Sequence, residues 1–142
     1  MAPLTMPERF VMGRSRIEPK VVLIGSAAQE LPGLAKRLRA ELGALGLEVV
    51  PVEAKAHSLH GRLAELGAQA VTHRAVAAVR VERQAKEQRV TLWLYDAVTG
   101  KMLFRQALLK KGAAATPAAN VSLQVVELIH ASLLELNLPM QR

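Results

Sequence analysis

Residues 90–109 read VTLWLYDAVTGKMLFRQALL, and this stretch decides the fold. Val90–Tyr95 and Met102–Leu109 are runs of strand-forming residues. The six residues between them, Asp96-Ala97-Val98-Thr99-Gly100-Lys101, carry turn chemistry: an aspartate can bond the turn's backbone amides and a glycine can take positive φ. The two runs therefore form a tight antiparallel hairpin. With Ala97–Gly100 as its loop, Asp96 pairs with Lys101, Trp93 lies opposite Phe104 and Tyr95 opposite Met102.

Working upstream, Ala70–Val81 reads as the preceding strand, with small or β-branched residues at Ala75, Ala77, Val79 and Val81 to pack under helices. The polar stretch Arg83–Arg89 joins it to Val90 as a second hairpin, so three strands make an antiparallel meander. A matching register sets Ala78 beside Trp93, Val76 beside Tyr95 and Arg80 beside Thr91. Because side chains alternate along a strand, one face holds Val90, Leu92, Leu94, Leu103 and Ala107. The other is aromatic.

Towards the N-terminus, Val21–Ile24 is apolar on both faces, the pattern of an interior strand, and Gly25-Ser26 ends it. Leu31, Leu34, Ala35, Leu38, Leu42 and Leu45 follow at helical spacing. Pro32 fits that helix's first turn and Gly46 its C-terminal cap. Glu48–Val52 is a second strand, and Pro51 places it at an edge or a bulge. Strand, helix and strand make a right-handed parallel unit. A shorter helix is capped by Ser58, shows Leu59, Leu63 and Leu66 on one face and stops at Gly67. Thr116-Pro117 opens a final helix that Asn137 and Pro139 end. The order is βαβαβββα: an α/β fold of mixed α+β character, with a five-stranded mixed sheet, a parallel βαβ start, an antiparallel meander and flanking helices. Residues 1–19, with Pro3, Pro7, Gly13 and Pro19, read as an extended leader, 20–138 as one domain and 139–142 as a tail.

A chain of 142 residues has room for one core. Cysteine is absent, which excludes disulfides, thiolate metal ligands, a cysteine nucleophile and lipid attachment through cysteine. The first twenty residues hold no signal-type apolar run, and Ala118–Leu136 carries Gln124, Glu127, His130 and Glu135, which argues against a membrane span. The location expected on these grounds is cytoplasmic for a complete chain and periplasmic for a mature fragment. The formal charge of +7 is concentrated: residues 74–111 hold nine bases and three acids. They also hold three of the four aromatics, Trp93, Tyr95 and Phe104. Such a segment suits an anionic partner or a steering field, or is simply a solvated face.

The aromatic face admits two readings. In one, the final helix, apolar nearly all round, covers it as core. In the other the face is open and binds a partner chain, or unstacked bases with phosphates held by Arg80, Arg83, Lys86, Arg89 and Arg105. The Gly-aromatic signature of RNA-binding sheets is lacking. Motifs for chemistry are sparse. Gly25 and Ser26 could form a small-ligand loop at a strand end, but GxGxxG and GxxxxGK[ST] are missing. His57, His60 and His73 lack an HExxH arrangement, so no metal site is assigned, and no cofactor. The single aspartate, Asp96, has a structural use in the turn. Glu127 and Glu135 are eight apart, no carboxylate pair is evident, and no serine lies in GxSxG. No catalytic residue is assigned.

Leu66-Gly67-Ala68-Gln69-Ala70-Val71, followed by an Ala/Val strand, a hairpin and a strand ending in Asp96-Ala97-Val98-Thr99-Gly100, resembles the pattern of TolB amino-terminal-like domains. Curli-secretion and penicillin-binding-protein-activator lipoproteins share it. The resemblance spans roughly residues 21–136 in element order. It implies a sheet flanked by helices, no catalysis and protein contacts at the cell envelope; the signal peptide and lipid-bearing cysteine of those lipoproteins are not seen here. The expectation is a non-enzymatic protein-interaction or adaptor domain. Nucleic-acid binding through the meander is the second reading and small-ligand binding at Gly25 and Ser26 the third. A protein partner comes first, nucleic acid second, and homo-oligomerisation stays open.

Overall fold

The structure is a computed structural model that describes residues 17–25, 31, 33–55, 59–84, 89–108 and 117–134. Eight elements follow one another: β1 (Glu18–Ile24), α1 (Leu34–Gly43), β2 (Glu48–Val52), α2 (Leu59–His73), β3 (Ala75–Gln84), β4 (Arg89–Asp96), β5 (Met102–Leu108) and α3 (Pro117–Leu134). The strands form one mixed sheet in the order β2-β1-β3-β4-β5. β1 runs parallel to both β2 and β3, and β3, β4 and β5 form the antiparallel meander.

Local chemistry explains most of these elements. Val21, Val22, Leu23 and Ile24 are all buried because β1 has a strand on each side and helices on both faces. β1 begins at Glu18, inside the stretch that reads as a leader, and a register shift lies between Glu18 and Val21. Leu34, Leu38 and Leu42, four residues apart, form the buried stripe of α1. That helix closes as expected at Gly46, whose φ of 86° lets Gly46 N–H reach Gly43 O at 2.9 Å and Leu47 N–H reach Leu42 O at 2.9 Å. Pro51 lies in β2, an edge strand, where a missing backbone donor costs no interior ladder bond. Pro117 is the first residue of α3. Pro32, Ser58, Thr116, Asn137 and Pro139 lie outside the described residues.

Two expectations are corrected. α2 does not stop at Gly67 but runs to His73, and β3 begins at Ala75 rather than Ala70. A glycine inside a helix costs about 1 kcal/mol, whereas the continuation buries Ala70 beyond the already buried Leu66. The helix ends instead at Arg74, in the left-handed region with φ 56°, whose carbonyl accepts from Glu18 N–H at 2.7 Å. The second hairpin is also tighter than expected: the pairs are Ala78 with Tyr95, Arg80 with Trp93 and Glu82 with Thr91, and strand pairing extends to Gln84 and Arg89. The shift is two residues, so every side chain keeps its face.

The helices divide between the faces. α1 and α3 pack together over Val21, Leu23, Val79, Val81, Val90, Leu92 and Leu94, the larger core. Among the described residues α2 is the helix on the opposite face, over Val22, Ile24, Ala78 and Trp93. The final helix therefore lies on the aliphatic face, not on the aromatic one. The aromatic face takes α2 as its cover, and α2 packs on β3, β1 and β4.

Candidate interaction surface

The cover stops short of β5. Trp93 on β4 is 8% exposed beneath α2, whereas Phe104, its neighbour across the strands, is 60% exposed. Their ring centroids are 6.2 Å apart with planes tilted by 38°. Met102 and Leu108, which share Phe104's side of β5, are 40% and 58% exposed. Among the described residues β5 pairs with β4 alone, so these three apolar side chains line an open outer strip of the sheet at its edge.

Register shows which backbone groups share that edge. Asp96 N–H donates to Lys101 O at 2.9 Å and closes the hairpin. In an antiparallel pair, hydrogen-bonded and non-hydrogen-bonded positions alternate from there. Leu103, Arg105 and Ala107 thus turn their backbone groups towards β4, while Met102, Phe104, Gln106 and Leu108 turn theirs outwards. One set of residues carries both the exposed apolar side chains and the outward backbone groups.

The turn beside this strip is firmly held. Asp96 Oδ1 accepts from Val98 N–H at 2.9 Å and Thr99 N–H at 3.2 Å, and Asp96 Oδ2 accepts from the Ser132 hydroxyl of α3 at 2.5 Å. Gly100, with φ 77°, donates to Asp96 O at 2.7 Å. The aspartate expected to shape the turn also ties it to a helix.

The basic residues do not form one rim. Arg80 is buried on the α2 face, bonded to Glu65 at 2.9 Å and to Glu82 at 2.6 Å, and Glu82 accepts from Arg62 at 2.6 Å. Burial alone would raise the Glu82 carboxyl's pKa, but the hydrogen bonds from Arg62 and Arg80 and their charges outweigh it and hold the group below the ordinary glutamate value. Arg62 also lies over the Trp93 ring, 5.2 Å from its centroid. Arg105 points to the other face, where it bonds Gln124 at 3.0 Å and pairs with Glu127 at 3.6 Å, both on α3. Arg89 is half-buried opposite Leu108 at the far end of the strip, and Tyr95 is half-buried at the near end against Gly67. Lys86 and the side chain of Arg83 lie outside the described residues, as does Ser26. Gly25 ends β1 with φ 117°, its N–H on Val52 O at 3.1 Å.

Sequence reasoning missed Arg62, Glu65 and Glu82, which engage Arg80, and the exposure of Met102 and Leu108. Arg62 and Glu65 sit three apart on the α2 stripe with Leu66, a helical signal that was there to read. Among the described residues no cluster of side chains could hold a metal ion, and no helix is long and apolar enough to cross a membrane.

No family model and no curated protein matches this chain. Among solved structures it is similar to the crystal structure of TolB from Acinetobacter baumannii, with a TM-score of 0.52 and 16% sequence identity. The match covers 81% of this chain and 28% of that one, so the chain spans under a third of that protein's length. At such identity the likeness is one of fold, and the fold is TolB-like.

Proposed function

We propose that this chain is a non-enzymatic protein-interaction domain whose contact surface is the outer strip of the sheet centred on Phe104. The observation that carries the reading is the exposure of Met102, Phe104 and Leu108 along one face of an edge strand, with Gln106 between the last two. Contiguous apolar surface is uncommon on a monomer and marks contact sites. Trp93, buried beside Phe104 on the neighbouring strand, gives the strip an aromatic neighbour on its inner side, and aromatic side chains are frequent anchors of binding surfaces. The TolB-like fold directs the search for a partner to cell-envelope proteins. The geometry does not favour the nucleic-acid reading, because acidic partners already engage Arg80 and Arg105.

The test compares partner capture by the wild-type chain, Phe104→Asp and Val71→Asp. Val71 is 73% exposed on α2 rather than on β5, and serves as the comparison variant. Capture lost in Phe104→Asp and kept in Val71→Asp, with both variants folded by circular dichroism, supports the reading. Equal capture by all three rejects it.

A further inference from the structure

The two edges of the sheet differ. β2 is a five-residue strand interrupted by Pro51, which removes a donor and blunts that edge against pairing. β5 is seven residues long and has no proline, and among the described residues the outward backbone groups of Met102, Phe104, Gln106 and Leu108 meet no further strand. Natural sheets avoid such an edge unless something pairs with it.

Symmetry and charge narrow what that is. The four outward residues are all uncharged, so two copies of this strip meet without repulsion. When identical strands pair antiparallel about a two-fold axis, outward groups of one copy must face outward groups of the other. An axis through Arg105 satisfies all four residues: Met102 faces Leu108 of the second copy, Phe104 faces Gln106, and the same pairs repeat with the copies exchanged. An axis through Phe104 or Gln106 instead leaves Leu108 or Met102 opposite a residue outside the strand. The Arg105 axis also brings the two Phe104 rings together diagonally, a separation that aromatic side chains span.

On the face towards α3 the same axis sets Arg105 opposite Arg105 of the second copy, and like charges directly opposite destabilise a strand pair. Each guanidinium, however, arrives with a carboxylate of its own. Arg105 pairs with Glu127 at 3.6 Å and bonds Gln124 at 3.0 Å. The axis therefore opposes two compensated ion pairs rather than two bare charges.

We infer that β5 pairs antiparallel with β5 of a second copy about a two-fold axis through Arg105, joining two five-stranded sheets into one. The juxtaposition that carries this is an unblocked edge with an uncharged apolar strip that complements itself in the register where the opposed arginines are already neutralised. The inference rests on the reading of the Phe104 strip as a contact surface, and deepens it by naming what the strip meets.

Sedimentation of the full chain over a range of concentrations tests it. The expected result is a reversible monomer–dimer equilibrium. Gln106→Pro deletes an outward N–H without touching a bond to β4, and it and Phe104→Asp should each weaken the dimer by roughly tenfold or more, while Gln106→Ala stays within about twofold. Glu127→Lys strips both arginines of their compensation, so it should weaken the dimer at low salt and lose that effect at high salt. Single cysteines read the register in a chain that has none. On oxidation Arg105→Cys should cross-link two copies, because opposed residues at a non-hydrogen-bonded position lie within disulfide reach. Val98→Cys, exposed on the turn, should not. A monomer at every concentration, a dimer indifferent to Phe104→Asp and Glu127→Lys, or equal cross-linking of the two cysteine variants would each overturn the inference, and the cross-link decides if Gln106→Pro misfolds. Should the chain stay monomeric while Phe104→Asp still abolishes capture of another protein, self-pairing is wrong and the contact surface stands. Should Phe104→Asp change neither, both fall.

Discussion

Asp96 shows how much one side chain can carry. It is buried, and its carboxylate joins two turn amides to the Ser132 hydroxyl, so it fixes the β4–β5 turn and anchors it to α3 together. Hydrogen bonds to a charged group contribute more than neutral ones, and each donor left buried without an acceptor adds a desolvation cost. Asp96→Ala should destabilise the fold by roughly 2–4 kcal/mol. Asp96→Asn keeps an acceptor for Val98 and Thr99 and offers its NH₂ to the Ser132 oxygen, so it should cost about 1 kcal/mol. Urea denaturation of both variants checks the ranking; equal losses would mean that the charge, not the acceptor geometry, holds the turn.

At the scale of elements, what was legible and what was not follow from the range of the forces involved. The βαβ start, the β4–β5 register and the edge position of β2 were all readable, because Gly46, the Asp96–Gly100 turn and Pro51 act on their own backbone. The extent of α2 was not, since Gly67 signals a stop locally and only Leu66 and Ala70, buried against the sheet, override it. For the same reason neither reading of the aromatic face, covered by the final helix or open, anticipated α2 over Trp93: α3 and α2 both carry apolar stripes, and the faces they take depend on packing that alternation does not encode. The pairing of Trp93 with Phe104 was legible, but the exposure of Phe104 depends on where α2 ends on the sheet. Gly67 gives this a test. A Cβ there would meet the Tyr95 ring at 3.9 Å, ordinary contact without a clash, and no positive φ demands glycine. Gly67→Ala should therefore raise stability by about 0.5–1 kcal/mol, read as a higher denaturation midpoint with an unchanged slope. A loss would show that α2 requires its closest approach to Tyr95.

Over the whole molecule, charge is distributed so that acid should find a definite weak point. The chain carries 19 bases against 12 acids, and protonating the acids leaves the bases to repel one another. The acids are not equivalent. Glu82 lies between Arg62 and Arg80 under α2, and those two arginines hold its pKa below the ordinary value despite burial. A carboxylate depressed on folding adds stability that is full above its unfolded pKa, about 4.3 for glutamate, and is lost as the pH falls through the lower folded value. Stability should accordingly hold between pH 7 and 5 and fall below about pH 4. Protonation of Glu82 would weaken its hold on Arg80 and Arg62 and loosen the layer that seats Trp93. Tryptophan fluorescence should then change before far-UV circular dichroism does, because among the described residues one helix, α2, covers that face while α1 and α3 hold the other. In Glu82→Gln the starting stability is lower and the acid-induced fall shallower. In Glu18→Gln the fall should persist: Glu18 is also held low, first by its hydrogen bond from Lys20 and then by that lysine's charge, but it sits at the surface, where solvent screens the pair. If Glu82→Gln retained the full acid slope, the arginine pair beneath α2 would not be the group that couples protonation to unfolding.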